Sequence, residues 1–169
     1  MGGVYLDTDA QILKDISSLL ENEAFLAFEH NEMVNTGVCG SASGNQLLKE
    51  MLEYYNTLRF FNKDGKMVTT VTGEYLTKVF MKHGLELNGK EQTVENWKIY
   101  PFTYFYPVKV INDNTYYSDN TCICHWFEGT WVSDENAKAR AHDLNPIIRR
   151  IRKMKIMKLY YNIRNGRRQ

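Results

Sequence analysis

The chain has 169 residues, of which 43% are hydrophobic and 13% aromatic, and its formal net charge is +1 at pH 7. This composition supports a packed core and argues against intrinsic disorder, and no apolar run approaches the roughly 20 residues that a membrane-spanning helix needs. Three cysteines, an odd number, argue against a disulfide framework. We expect Cys39, Cys122 and Cys124 to be buried strand thiols in a reducing cytoplasm.

The first half of the chain is predicted to alternate between strands and helices. We expect a buried strand at 4–6, a helix at 11–20 that Asp9 caps, and strands at 24–29 and 33–39. An amphipathic helix is predicted at 43–60 and, after a turn at 62–65, a second helix at 72–83 that ends at Gly84.

The second half is predicted to hold shorter elements. Strand-like pieces are expected at 92–94, 97–100 and 102–106, where core packing of the aromatic residues is favoured over the lining of a sugar cleft. A strand at 121–127 follows, and Pro146 begins a long helical segment. Mixed strands and helices in this order indicate an α/β fold.

The near-neutral total charge hides a basic C-terminal segment. Residues 146–169 hold nine of the 21 Lys and Arg residues and none of the 20 acidic ones. Their apolar residues approximate one helical face, which is typical of a packed terminal helix or of a helix lying on an anionic membrane surface. Nucleic-acid binding is not expected, because the segment has no recognition motif.

The octet from Gly2 to Asp9 is the most informative motif. It reads Gly-Gly-Val-Tyr-Leu-Asp-Thr-Asp, and in an extended segment Asp7 and Asp9 would point to one side. Two adjacent carboxylates at the end of a buried strand are costly unless a cation binds them, and a divalent cation that carries a diphosphate would suit them. The competing interpretation, a cap for the next helix, explains Asp9 and leaves Asp7 and the glycines unexplained.

Together with later segments, the octet resembles glycosyltransferase family 32, which includes bacterial capsular-polysaccharide sugar transferases. The resemblance covers roughly residues 2–131. Besides the octet, the matching segments are Phe25–Glu29, Asn35–Gly37 before the helix at 47–55, Ile99–Pro101, Tyr104–Pro107 and His125–Trp131. The octet combined with the later His-x-x-x-x-Thr-Trp pattern is the most specific part.

This resemblance implies a GT-A fold, a Rossmann-like α/β domain, whose C-terminal portion would occupy residues 1–133, followed by a basic helical extension at 134–169. It implies a retaining hexosyltransferase that uses a nucleotide-diphosphate sugar, UDP-linked in our expectation, and manganese (Mn2+) or magnesium (Mg2+). The acceptor would be a surface polysaccharide, either a glycan or a lipid-linked glycan. An enzyme of this kind would be cytoplasmic, with peripheral contact to the inner face of the cell membrane through residues 146–169.

The resemblance also implies metal ligands. Asp9 would bind the metal directly, and Asp7 would bind it through water or contact the ribose, so that both aspartates are the catalytic residues. His125 matches a position that holds a third metal ligand in related families. Considered alone, a histidine between apolar neighbours on a strand is more typical of a core residue.

Substrate-binding roles are implied for further residues. Tyr5 matches an aromatic position beside the nucleotide sugar, although a buried strand tyrosine is an equal alternative. Thr130 and Trp131 match residues that reach the phosphate oxygens or the leaving group, and Asn35 matches a loop near the donor sugar or acceptor. Glu29 and Glu128 are candidate acid/base groups.

One departure from the family pattern concerns the start of the chain. Family members carry further residues before the Gly-Gly pair, which supply the strands and helices that hold the nucleobase, and here Met1 stands directly before the glycines. The sequence therefore suggests a fragment, or a chain completed by another one. The alternative function is a catalytically incompetent remnant or subunit that binds a partner chain or the membrane surface.

Overall fold

A computed structural model of the protein describes residues 2–30, 32–68, 70–107 and 116–127. Apart from Phe127, these residues belong to one compact unit, which comprises residues 1–107 and 116–126. The unit combines two α-helices with a five-stranded and a two-stranded sheet. The prediction of a fold that mixes α-helices and β-strands is therefore confirmed. The predicted boundary at 133 and the helical segment from Pro146 lie outside the described residues.

The larger sheet is mixed. Its strands are β1 (Gly3–Leu6), β3 (Ala24–His30), β4 (Met33–Ser41), β5 (Gln92–Val94) and β6 (Trp97–Tyr100). Their order across the sheet is β1-β4-β3-β6-β5, and only the β3–β6 pair is parallel. The short strands β2 (Ala10–Ile12) and β7 (Ile123–His125) form a separate antiparallel pair.

Two helices cover the sheet. They are α1 (Gln46–Asn56) and α2 (Thr72–Lys82), and α2 packs against β4. The core between helices and sheet includes Phe28 of β3, Phe80 of α2 and Trp97 of β6, all nearly inaccessible to solvent. Asn45 caps α1 by accepting a hydrogen bond from Leu48 N, and its side-chain oxygen also accepts one from Trp97 Nε1. The helix start is thereby tied to the core of the sheet.

The contact between α2 and β4 depends on a buried threonine. Thr77 Oγ1 donates to Gly73 O at 2.7 Å and accepts a hydrogen bond from Val34 N at 3.1 Å. A Cβ on Gly73 would lie 2.8 Å from Val34 O, so glycine is required for this close approach. Residue 34 is therefore held from the helix side, next to the part of β4 that carries Asn35 and Gly37.

Several predicted elements are confirmed with small shifts, including the strands at 24–29, 33–39, 92–94 and 97–100 and the helix at 72–83. The helix predicted at 43–60 and the strand predicted at 121–127 exist but are shorter. Gly84 follows α2 with a φ of +92°, as expected for a helix stop. None of the three cysteines, all of which lie in the described ranges, forms a disulfide; Cys122 and Cys124 are buried and Cys39 is half-buried.

Three local predictions are wrong. Residues 11–20 are not an α-helix, because Ala10–Ile12 pairs with β7 and only Ser17–Glu21 form a 3-10 turn. Residues 102–106 are not a strand: Phe102–Tyr104 form a 3-10 turn, which brings Tyr106 N within 2.7 Å of Phe102 O. The strand β1 is not buried, because it lies at one edge of the described sheet and its side chains are mostly exposed.

Neither described helix has the length and apolar character required to cross a bilayer, a finding restricted to the ranges given above.

Thr77→Val should lower the free energy of unfolding by about 1–3 kcal/mol, because the isosteric change leaves the buried Val34 N–H without its acceptor. Urea unfolding measures this quantity. The matched control is Thr57→Val, which removes an exposed hydroxyl that donates to Tyr54 O and should change stability by less than about 0.5 kcal/mol. Equal effects of the two variants would contradict the role of Thr77.

His83 provides a pH-dependent contact between elements. Its Nε2 lies 2.6 Å from Glu50 Oε2 on α1, and its Nδ1 lies 3.3 Å from Glu95 Oε1 in the β5–β6 turn. The neutral ring has one donor nitrogen, so His83 can donate to both glutamates at once only when the imidazole is protonated. The hydrogen bond to Glu50, and next the one to Glu95, raises the pKa of His83, and the same bond to His83 lowers the pKa of Glu50.

We expect the stability difference between the wild type and His83→Gln to depend on pH. The histidine contribution is complete below its ordinary pKa of 6.5 and is lost as the pH rises through the higher folded value. The Glu50 contribution is lost as the pH falls below the ordinary pKa of 4.5. Urea midpoints should therefore differ most between these two values. A difference that persists undiminished at about pH 9 would show that the contact does not depend on the imidazolium.

Candidate metal centre

A turn brings the two aspartates together. Asp7 follows the last residue of β1, and its carbonyl accepts a hydrogen bond from Ala10 N at 2.9 Å, which closes the turn before β2. The segment from Asp7 to Asp9 is therefore a turn, and the extended conformation expected from the sequence is wrong. The side chains converge because the chain reverses between two different sheets.

The pairing of β2 with β7 places His125 against this turn. Ala10 is the register partner of His125, and Trp126 N donates to Asp9 O at 3.0 Å. His125 Nε2 consequently lies 3.0 Å from Asp7 Oδ2 and 3.3 Å from Asp9 Oδ1. The three residues each offer a ligand atom within 4.8 Å of the others. The histidine is buried, Asp9 is largely buried, and Asp7 is partly exposed.

Tyr5 completes the environment of Asp7. Its hydroxyl donates to Asp7 Oδ1 at 2.7 Å, while the other carboxylate oxygen faces His125. This hydrogen bond is the main reason that the pKa of Tyr5 is raised, with desolvation as the second cause. The tyrosine ring itself is more than half exposed. The side chain therefore both orients a carboxylate and presents an aromatic face to solvent.

Gly37 of β4 supplies the space in which the cluster sits. A Cβ at this position would lie 2.9 Å from Asp7 Oδ2 and 3.0 Å from His125 Nε2. The carbonyl of Gly37 also accepts the Asp7 backbone N–H at 2.8 Å. One residue thus both anchors the backbone of Asp7 and leaves room for its side chain beside the imidazole.

Strand β4 contains a large bulge around Gly37, where it carries extra residues relative to β3. Phe25 pairs with Gly40 and Ala27 with Asn35, so that β3 advances by two residues while β4 advances by five. The buried Tyr106 hydroxyl lies in this gap, where it accepts a hydrogen bond from Val38 N at 3.0 Å and donates one to Asn35 O at 3.3 Å. It thereby replaces a strand partner for both backbone groups. Burial raises the pKa of Tyr106 well above its ordinary value.

Asn35 stabilises the same bulge with its side chain. Its Oδ1 accepts a hydrogen bond from Gly37 N at 2.8 Å, and its Nδ2 donates to Glu29 Oε2 at 2.6 Å. The residue lies in β4, within the strand predicted at 33–39, and not in a loop of the kind that the family resemblance implied. Its suggested contact with a sugar, and an acid/base role for Glu29, remain predictions.

The thiol of Cys39 lies near the cluster but is not activated. Burial, and next the negative charge of Asp7, raises the pKa of Cys39 to about 11. Since the thiolate is the form that attacks electrophiles and binds metals, this cysteine remains a neutral thiol at physiological pH.

The donor set fits a divalent cation. Two carboxylates face one imidazole nitrogen, so oxygen and nitrogen ligand atoms from three side chains meet in one small region. Oxygen and imidazole donors together suit manganese, iron or zinc better than magnesium, which prefers oxygen and retained water. Asp7 and His125 lie so close to Gly37 that no side chain at position 37 would fit without moving them.

The structure brings together Tyr5, Asp7, Asp9 and His125, and it places Asn35 and Glu29 in hydrogen-bond contact at the neighbouring bulge of β4. Thr130 and Trp131, the suggested phosphate contacts, and Glu128 lie outside the described residues. Gly37 and Tyr106 were missed as parts of the site. Gly37 and Tyr106 fall in the matching segments Asn35–Gly37 and Tyr104–Pro107, which are the signals that could have found them.

No family model matches the chain, and it has no match among the curated proteins or the solved structures.

Gly37→Ala is expected to separate Asp7 from His125, because the added methyl group would overlap both side chains. Long-range ¹H–¹⁵N NMR of the imidazoles, assigned with His125→Gln, should show a shifted His125 resonance in the variant. Thr36→Ala, which changes the neighbouring residue of β4 without adding an atom, is the control. An unchanged His125 resonance in Gly37→Ala would contradict the packing described here.

Proposed function

We propose that this chain carries the metal- and diphosphate-binding part of a retaining glycosyltransferase active site. The observation that carries the proposal is the convergence of Asp7, Asp9 and His125, which Gly37 permits because a Cβ at that position would overlap Asp7 and His125. Asp-x-Asp followed by a distant histidine is also the pattern for which the chain resembles family 32 glycosyltransferases. The donor would be a nucleotide-diphosphate sugar, UDP-linked in our proposal, and the acceptor a glycan of a surface polysaccharide.

Asp9 and Asp7 would hold the cation through their carboxylate oxygens, with His125 Nε2 as the third ligand. When bound, the divalent ion would supply a positive charge that stabilises the departing nucleotide diphosphate. Tyr5 fixes which oxygen of Asp7 faces the cluster by donating to the other oxygen. Gly37 fixes the backbone of Asp7, so that its carboxylate is positioned before the ion arrives.

The exposed face of Tyr5 supports a contact with the donor. The ring lies next to the carboxylates and more than half of the side chain is accessible. An aromatic face of this kind can stack on a sugar or a nucleobase while the hydroxyl keeps its hydrogen bond. Tyr5 would thus couple the position of the bound sugar nucleotide to that of a metal ligand.

Asp9→Asn and His125→Gln should each weaken Mn²⁺ binding by at least about tenfold, because each removes one of three protein ligands. Isothermal titration calorimetry of the 169-residue chain with manganese chloride measures the affinity. Asp119→Asn, which neutralises an exposed aspartate in the turn before β7, is the matched control and should bind like the wild type. Unchanged affinity in Asp9→Asn would refute the metal centre.

UDP titrated with and without Mn²⁺ then tests the donor. Saturable binding that requires the metal, and that is lost in Asp9→Asn, would support the glycosyltransferase proposal. Normal Mn²⁺ binding with no UDP binding would contradict the donor assignment for this chain. That result would favour the alternative of a non-catalytic subunit or remnant.

A further inference from the structure

Residues 60–68 form a small hairpin, called here the 60–68 hairpin. Phe61 pairs with Met67 in an antiparallel bridge, and Val68 N donates to Phe60 O at 2.8 Å. The Asn62 side chain closes the turn by accepting hydrogen bonds from Asp64 N and Lys66 N, and Gly65 adopts a φ of +73°. The tip therefore has a defined conformation, set by local hydrogen bonds.

The hairpin exposes three large apolar side chains. Phe60 is 65% exposed, Phe61 56% and Met67 57%. The two phenylalanine rings contact each other edge to face, with centroids 5.0 Å apart. A contiguous apolar patch that its own fold leaves in water is typical of an interaction surface.

Basic residues flank this patch. Arg59, Lys63 and Lys66 are all exposed, and Asp64 is the only acid between residues 57 and 68. Within the described ranges, none of the three cations forms an ion pair. Yet the chain before residue 146 has an excess of acidic over basic residues. The hairpin is thus a basic and apolar site on an otherwise acidic body.

We propose that the 60–68 hairpin docks on the surface of an anionic lipid bilayer. Phe60, Phe61 and Met67 enter the headgroup region, where aromatic and apolar side chains gain free energy by leaving water. Arg59, Lys63 and Lys66 remain at the surface and attract anionic headgroups. The proposal involves none of the residues of the basic segment 146–169, and it does not depend on the function proposed for the metal centre.

Co-sedimentation of the full chain with phosphatidylcholine vesicles, with and without phosphatidylglycerol, tests the proposal. F60S/F61S should bind the anionic vesicles at least about tenfold more weakly than the wild type, because two aromatic anchors are lost. The matched control is Leu20→Ser, since Leu20 is likewise 56% exposed but lies outside the hairpin. The control should bind normally.

The charge component has its own variant. K63Q/K66Q should bind anionic vesicles about tenfold more weakly and lose less affinity than the wild type as salt is raised. K49Q/K90Q, which removes two exposed lysines elsewhere, is the control. Because all substituted side chains are exposed, thermal unfolding of each variant should match the wild type.

Residues 146–169 are identical in every variant, so any binding through them is a common background. Wild-type vesicle binding by both F60S/F61S and K63Q/K66Q would overturn the proposal. It would also be overturned if F60S/F61S abolished a concentration-dependent self-association in sedimentation velocity while leaving vesicle binding unchanged. In that case the patch would be a contact between copies of the chain.

Discussion

The arrangement of the candidate site depends on one constraint, the bulge of β4 between Asn35 and Gly40. Strand β4 must pair with β3 at both ends and with β1 on its other side, and its extra residues cannot follow both partners at once. The displaced backbone groups would be costly without partners. The buried hydroxyl of Tyr106 and the side chain of Asn35 supply those partners, so the bulge is a stable feature of the fold. Its consequence is that Gly37 faces the turn at Asp7.

From this constraint the cluster follows in two steps. The Gly37 carbonyl fixes the backbone of Asp7, and the turn to Ala10 then starts β2 in the direction that allows pairing with β7. That pairing delivers His125 to the same space from more than a hundred residues along the chain. A carboxylate pair formed by a local turn thus becomes a three-residue cluster through a distant strand. The packing of α2 on Val34 holds β4 from the other side, so core and site share one strand.

The sequence was informative where local pattern decides the structure. Alternating or apolar runs at 24–29, 33–39 and 97–100, and the amphipathic spacing of 72–83, predict the elements that are observed. The helix predicted at 11–20 was wrong because its first residues pair with β7. That contact joins residues far apart in the chain, so the local spacing of apolar residues could not reveal it. The residue types at Asp7, Asp9 and His125 indicated a shared site, but the turn that joins the aspartates and the space at Gly37 were not visible. Tyr106 was expected to pack in the core, as it does, but the support that its hydroxyl gives to the bulge was not visible, because such a tyrosine looks like any core tyrosine in the sequence.

The geometry also narrows what the cluster can do. A single Asp–His contact is a common structural pair, satisfied by one hydrogen bond. Here two carboxylates converge on the same nitrogen, the Tyr5 hydroxyl donates to Asp7, and Gly37 leaves the room that the Asp7 and His125 side chains occupy. A Cβ at residue 37 would lie 2.9 Å from Asp7 Oδ2 and 3.0 Å from His125 Nε2, so a larger residue there would push these two side chains apart. Gly37 thus preserves the close approach of the three candidate ligands, which is the arrangement that the proposed metal centre needs.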